Sequence, residues 1–168
     1  AAAFAARAAA VRIGDGMLPG VEMGPVANHR RIEAIEALVE DARAKGAKVL
    51  TGGVRPNGPG YFYPVTVLAE VPDDARVMRE EPFGPLAIIN PTANLDQAID
   101  RANALPFGLA AYAFTHRAAT VDRLMTEIEA GNLSINTLEA SVAEVPFGGV
   151  KASGQGREGG QEGMLHYV

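Results

Sequence analysis

The sequence predicts an α/β fold: an open, largely parallel sheet with helices on both faces. Three observations carry that expectation. Strand-like runs alternate with ten-residue helical patterns between residues 94 and 136, the rhythm of a doubly wound sheet. The run 109–115, LAAYAFT, has too few polar residues to face water on either side, as central parallel strands do. Gly 19 and Pro 11 together make about 18% of the chain against roughly 12% in average usage. Turns are therefore many, and a long helical bundle is disfavoured.

Taken in order, residues 1–13 read as the tail of a helix cut from something longer. Eight of the first ten are Ala, no cap precedes them, and Gly14-Asp15-Gly16 ends the run. After a loop at 18–27, Asn28 caps a helix whose Ile32, Ile35, Leu38, Val39 and Ala42 share one stripe, with Gly46 at a left-handed C-cap. A short strand at 48–51 ends in Gly52-Gly53, and an exposed turn follows at 55–60. Residues 61–71 read as a strand kept partly at an edge by Pro64, and 86–90 as a second buried strand. Asn94 then caps a helix to about 105 with Leu95, Ile99 and Ala102 on its inner face. Thr120 caps another through 130, stopped by Gly131, and 133–136 is the last strand. The segment 146–168 is Gly-rich. With no internal repeat and no evident linker, 1–168 reads as a single domain.

Composition excludes several function classes. Lys+Arg 15 against Asp+Glu 20 gives a net charge of −5, which offers a nucleic-acid partner no electrostatic support. The absence of cysteine removes disulfides, thiolate metal sites and any thiolate nucleophile within these residues. No apolar run approaches a membrane span, and the Ala-rich start lacks the features of a signal peptide, so a cytoplasmic location is expected. His29, His116 and His166 are scattered and read as surface or capping residues, so no metal site is expected. Gly154 to Gly159 match the letters GxGxxG, but only nine residues follow, too few for a dinucleotide fold.

Three stretches are less generic. In Glu80-Glu81-Pro82-Phe83-Gly84-Pro85, Pro82 holds Glu81 extended and Gly84-Pro85 turns the chain just before a strand. A fixed carboxylate beside the Phe83 ring suits a sugar diol next to a flat base; the alternative, which the residues alone favour, is a solvated charge pair and a core Phe. In the run 146–154, PFGGVKASG, the glycines allow close backbone approach, and Lys151 and Ser153 are suited to fixing the loop ends. This run either serves a pocket at Phe147 or is a tight crossover. Asn136 ends the last strand, and strand carboxyl ends are where ligands sit in open α/β sheets. Asn136 and the loop 137–145 are thus pocket candidates, or Asn136 satisfies turn backbone groups.

Gly-Asp-Gly at 14–16, Gly24-Pro25, EEPFGP at 80–85, NALPFGLAAYAFT at 103–115 and INTLEASVAEVPFGGVKASGQGREGG at 135–160 occur together in this order. The chain from about residue 11 to 167 thereby resembles the C-terminal part of the NAD(P)-dependent aldehyde dehydrogenase superfamily, and within it the succinate-semialdehyde dehydrogenases. The resemblance implies that Glu81 binds the nicotinamide ribose hydroxyls and that Phe83 packs against the nicotinamide end of NAD or NADP. It implies that Asn136 lies under the substrate pocket, that Phe147 lines the aldehyde tunnel, and that 137–145 is a specificity loop. It also implies a small-molecule aldehyde as substrate and a homo-oligomeric parent.

One departure matters. The family's chemistry needs a cysteine thiolate, and this chain has none. The resemblance puts that cysteine, the base glutamate and the cofactor-phosphate half upstream, and a final subunit-pairing strand downstream. The chain is therefore expected to be a fragment, inert by itself. A non-catalytic module that binds a partner or self-associates through its sheet edge is the competing expectation. Glu139 and Glu144 would repel a substrate carboxylate, and no Arg lies between 136 and 147, so Thr137 or Ser141 would have to receive one.

Overall fold

Pairing of Arg12 with Glu22 ends the first helix early. In the computed structural model, which describes all 168 residues except the side chain of His166, helix α1 spans Ala2–Ala9. Residues 10–13, expected to continue it, leave the helix. The Arg12 N–H donates to the Glu22 carboxylate at 3.0 Å and its carbonyl accepts from Glu22 N at 2.8 Å, drawing the chain into an extended pairing. Contacts divide the chain, read above as one domain, into two compact units, Ala1–Pro91 and Thr92–Val168, and each sheet lies within one of them.

In the first unit, helix α2 (His29–Ala44) forms as its sequence dictates. The Asn28 side chain accepts from Arg31 N at 3.1 Å, and Ile32, Ile35, Leu38, Val39 and Ala42 are all buried. Gly46 takes a φ of +97° just beyond the helix. Strands β1 (Lys48–Thr51), β2 (Thr66–Ala69) and β3 (Leu86–Ile89) form one sheet in that order. β1 and β2 run antiparallel, whereas β2 and β3 run parallel, with Thr66 opposite Leu86. Central β2 is buried at every residue, while β3, expected to be buried, is half-buried because it has a neighbour on one side only. The strand expected over 61–71 shortens to Thr66–Ala69, since Pro64 has no N–H for the ladder. Tyr63 closes a core cluster with Ile32, Ile35 and Val39. Its hydroxyl finds no partner among the described residues, and burial pushes the phenol pKa up.

The second unit contains α3 (Leu95–Asn103), β4 (Phe107–Gly108), β5 (Ala110–Ala113), α4 (Ala118–Glu127), β6 (Asn132–Ile135) and β7 (Val150–Lys151). Asn94 caps α3 by accepting from Gln97 N at 2.9 Å, and the Gln97 side-chain oxygen accepts from Ala93 N at 2.7 Å. Ile99 is buried and Leu95 half-buried, but Ala102 faces solvent. Thr120 does not cap α4: the helix starts at Ala118, because the Thr115 hydroxyl takes Arg117 N and begins the turn earlier. α4 also stops at Glu127, where Ile128 turns extended.

β5 and β6 pair in parallel, Ala110 opposite Asn132 through Ala113 opposite Ile135. β5 has this one neighbour, so the apolar run expected to be central leaves Tyr112 and Phe114 exposed at 49% and 66%. Of sixteen buried hydrophobic residues among those described, Ile99 and Leu124 alone belong to this unit, so its core is thin. No helix among the described residues is long and apolar enough to cross a membrane.

Candidate functional site

Glu80 and Glu81 part company in the structure. A turn of 3-10 helix at Arg76–Met78 aims the Arg76 guanidinium at Glu80, donating from Nε at 2.7 Å and from Nη2 at 2.9 Å. This hydrogen-bonded pair holds the Glu80 pKa below its ordinary value. Arg76 N also donates to Asp41 at 2.8 Å, and that bond, followed by Lys45, lowers the Asp41 pKa. Glu81 is exposed, and its carboxylate has no hydrogen bond or ion pair with any described residue. Its backbone is nonetheless fixed. Phe83 N donates to Glu81 O at 3.0 Å, Leu86 N to Gly84 O at 2.8 Å, and Thr66 N to Pro85 O at 2.8 Å, tying the loop to β2. Gly84 lies so close to Ile35 that a Cβ would fall inside that side chain.

Phe83 is not a core residue: 64% of it is exposed. The Arg31 guanidinium stands over its ring, 5.5 Å from the centroid. Together with Val26, Ala27, Asn28 and Gly84 they line a groove of about 550 Å³. Arg31 is a site candidate that the sequence reading missed. Its signal was present in the first turn of a well-capped helix, but nothing local tied that helix to the 80–85 loop.

The remaining candidates lie in the second unit. Asn136 adopts a φ of 59° at the end of β6. Its amide accepts from Thr115 N and donates to Thr115 O, each at 2.9 Å, extending the parallel ladder by one side chain. The Asn136 amide is thus engaged with backbone at the end of β6. The Thr137 hydroxyl accepts from Glu139 N at 3.1 Å, while buried Ser134 donates to Glu139 O at 2.8 Å, so the start of the 137–145 loop is pinned. Ser141, Glu139 and Glu144 are exposed.

Phe147 is half-buried and lines a cavity of about 730 Å³ with Leu109, Ser153, Arg157, Met164 and Tyr167. Its backbone pairs with Glu158 through two bonds of 2.7 Å. Asn132, which the sequence reading passed over, clamps both flanks: its amide donates to Pro146 O at 3.0 Å and accepts from Gly148 N at 2.9 Å. Lys151 and Ser153 fix the loop ends as anticipated. Lys151 Nζ donates to Asn103 O at 2.9 Å and Leu105 O at 3.0 Å and pairs with Glu129; the Ser153 hydroxyl accepts from Gly108 N at 2.9 Å. No group of three metal-ligating side chains occurs among the described residues.

An α/β chain carrying a free carboxylate and an exposed aromatic on one stiff loop, and a clamped Phe on a Gly-rich segment, fits the resemblance drawn from its motifs. The chain belongs to the aldehyde dehydrogenase family, whose family model matches residues 1–168. It is 47% identical over 167 residues to 4-(hydroxymethyl)benzenesulfonate dehydrogenase of Comamonas testosteroni, covering 95% of this chain and 35% of that protein. Over 164 residues it is 42% identical to succinate-semialdehyde dehydrogenase (NADP+) 1 of Mycobacterium tuberculosis, covering 98% of this chain and 36% of the relative. Among solved structures, the NAD+ complex of aldehyde dehydrogenase from Bacillus cereus superposes with a TM-score of 0.93 at 36% identity, covering 98% of this chain and 34% of that one. The chain thus spans about a third of the length of the relatives it matches.

Proposed function

We propose that this chain supplies the nicotinamide-side clamp and part of the substrate wall of an NAD(P)+-dependent aldehyde dehydrogenase that oxidises an aldehyde to its carboxylate. The observation that carries this reading is the division of labour at Glu80 and Glu81. Arg76 consumes the first carboxylate in structure, while the second is left without a partner on a fixed loop beside an exposed ring. That donor set fits a nicotinamide riboside, whose vicinal hydroxyls donate to a carboxylate while its flat ring packs on an aromatic face. When bound, NAD(P)+ accepts the hydride from the aldehyde carbon. Glu81 orients the ribose and Phe83 limits the swing of the nicotinamide, which keeps the donor and acceptor carbons in line. Phe147, clamped by Asn132 and Glu158, presents an apolar wall to the aldehyde. The thiolate nucleophile of this chemistry comes from outside these residues, which contain no cysteine, so the chain alone is inert.

The same reading extends to a semialdehyde substrate and to a cytoplasmic homo-oligomeric parent. Two of the relatives are named for substrates with an anionic group, a sulfonate and a carboxylate. In the 137–145 loop no Lys or Arg is present to meet such a group. Thr137, whose hydroxyl uses its oxygen for Glu139 N, still has its proton to donate, and Ser141 is exposed on the same loop.

Steady-state kinetics of Glu81→Gln in the full-length enzyme test the clamp. Turnover should fall about tenfold or more while the aldehyde KM changes less than about threefold, because hydride geometry is loosened and the tunnel is untouched. A C1-deuterated aldehyde should show a larger isotope effect on turnover in the variant. Unchanged turnover, in an enzyme already limited by hydride transfer, rejects the role. Succinate semialdehyde and a neutral aldehyde of equal length in the same assay test the substrate.

A further inference from the structure

Tyr63 is 1% exposed, and its hydroxyl is the one buried side-chain polar atom without a partner among the described residues. Such a group costs stability until something accepts its proton. Its side chain lines a groove of about 460 Å³ between α2 and the 53–55 turn, edged by Glu36, Val39, Arg43, Val54 and Arg55. Burial raises the phenol pKa, and the charges near enough to act on the hydroxyl are Glu36 and Arg43, both on that edge. The oxygen therefore lies on the groove side of the ring.

The charges around it are under-used. The Glu36 carboxylate has no hydrogen bond or ion pair with any described residue. Arg55 meets no carboxylate there, and its guanidinium makes one bond, to Gly60 O at 2.8 Å. Arg43 holds Glu40 at 3.3 Å and Gly53 O at 3.4 Å, both near the limit of a hydrogen bond, so re-aiming it costs little. Because Arg43 reaches Gly53, two residues from Arg55, the two guanidiniums share one end of the groove. Glu36 marks the other, about 10 Å from Arg43 along the α2 axis. The lining charges cancel, Glu36 and Glu40 against Arg43 and Arg55. A simple anion would meet the carboxylates and a simple cation the guanidiniums; a neutral ligand with its two charges apart meets neither objection.

We propose that this groove binds a small zwitterion, whose carboxylate accepts from the Tyr63 hydroxyl, Arg43 and Arg55 while its ammonium pairs with Glu36. An ω-amino acid has that chemistry, and its methylene chain lies along the Tyr63 ring, Val39 and Val54. Turning toward the carboxylate, Arg43 leaves Glu40 and uncovers the hydroxyl. Guanidinium and carboxylate form the strong, charge-assisted class of hydrogen bond. The site uses no residue of the 80–85 loop or of the Phe147 segment, so it stands independently of the Glu81 and Phe83 reading above.

Isothermal titration of the full-length enzyme with ε-aminocaproate tests the site, with caproate and hexylamine as probes that each lack one charge. The zwitterion should bind with a Kd of about 1 mM or tighter, and each single-charge probe at least about fivefold more weakly. Arg55→Met should weaken ε-aminocaproate about tenfold. Tyr63→Phe keeps the ring and the groove, and should weaken it about fivefold. Without ligand, that variant should have the urea midpoint of the unmutated enzyme or a higher one, because the hydroxyl it loses had no partner. A lower midpoint would show that the protein already satisfies the hydroxyl, and would overturn the proposal. So would caproate binding as tightly as ε-aminocaproate, or unchanged affinity in either variant, the result expected of binding elsewhere on the enzyme. No binding of ε-aminocaproate at about 20 mM would overturn it as well.

Discussion

Glu80 and Glu81 are identical side chains one residue apart, and Arg76 decides what each can do. Protonating Glu80 breaks its two bonds to Arg76, and protonating Asp41 weakens its bond from Arg76 N. Both carboxyls have folded pKa values below their ordinary ones. Their stabilisation is therefore complete above the unfolded pKa, about 4 to 4.5, and is lost as pH falls through the lowered folded values. The urea midpoint should drop between about pH 5 and about pH 3, and Glu80→Gln should flatten part of that slope. An identical slope in the variant would show that the pair contributes nothing. Asn136 teaches a related lesson. Its residue type, at a strand's carboxyl end, suits a pocket and suits a backbone clamp, and its amide makes two 2.9 Å bonds to the Thr115 backbone.

At the scale of elements, the two well-capped helices and the parallel pairs were legible because their causes are local. Asn28 and Asn94 each sit three residues before the N–H they cap, and the α2 stripe repeats at helical spacing. The two-residue strands β4 and β7 were not legible, since a pairing of Phe107 with Lys151 leaves no periodicity in either segment. Close backbone packing specifies that region instead. A Cβ on Gly131 would fall inside the Gly148 carbonyl, two segments that only the folded chain brings together. Gly131→Ala should therefore cost about 3 kcal/mol or more in urea unfolding. Gly24→Ala, with nothing near its would-be Cβ and no positive φ, should stay within about 0.5 kcal/mol. Equal costs at the two positions would mean the crossover relaxes freely.

Across the whole molecule, buried apolar surface is distributed unevenly. The first unit holds fourteen of the sixteen buried hydrophobic residues, and the second leans on backbone clamps such as Lys151, Asn132 and the Phe147–Glu158 pairing. Local opening follows the amount of apolar burial that must be given up. Amide exchange on the 168-residue chain should be slowest in β2, Thr66–Ala69, and faster in β5, Ala110–Ala113, whose Tyr112 and the adjoining Phe114 are exposed. Equal protection of the two strands would show that the clamps alone suffice.

Periodicity, capping residues and the EEPFGP and PFGGVKASG runs, all properties of neighbours along the chain, determined the α/β class, the family and the candidates Glu81, Phe83, Asn136, Thr137, Ser141 and Phe147. Tertiary structure decided what depends on neighbours in space. It spent Glu80 on Arg76, set Arg31 over Phe83, turned Asn136 toward Thr115 and gave β5 a single partner. A free charge and a paired one have the same letter; only the distance to a partner, set by the folded backbone, separates them.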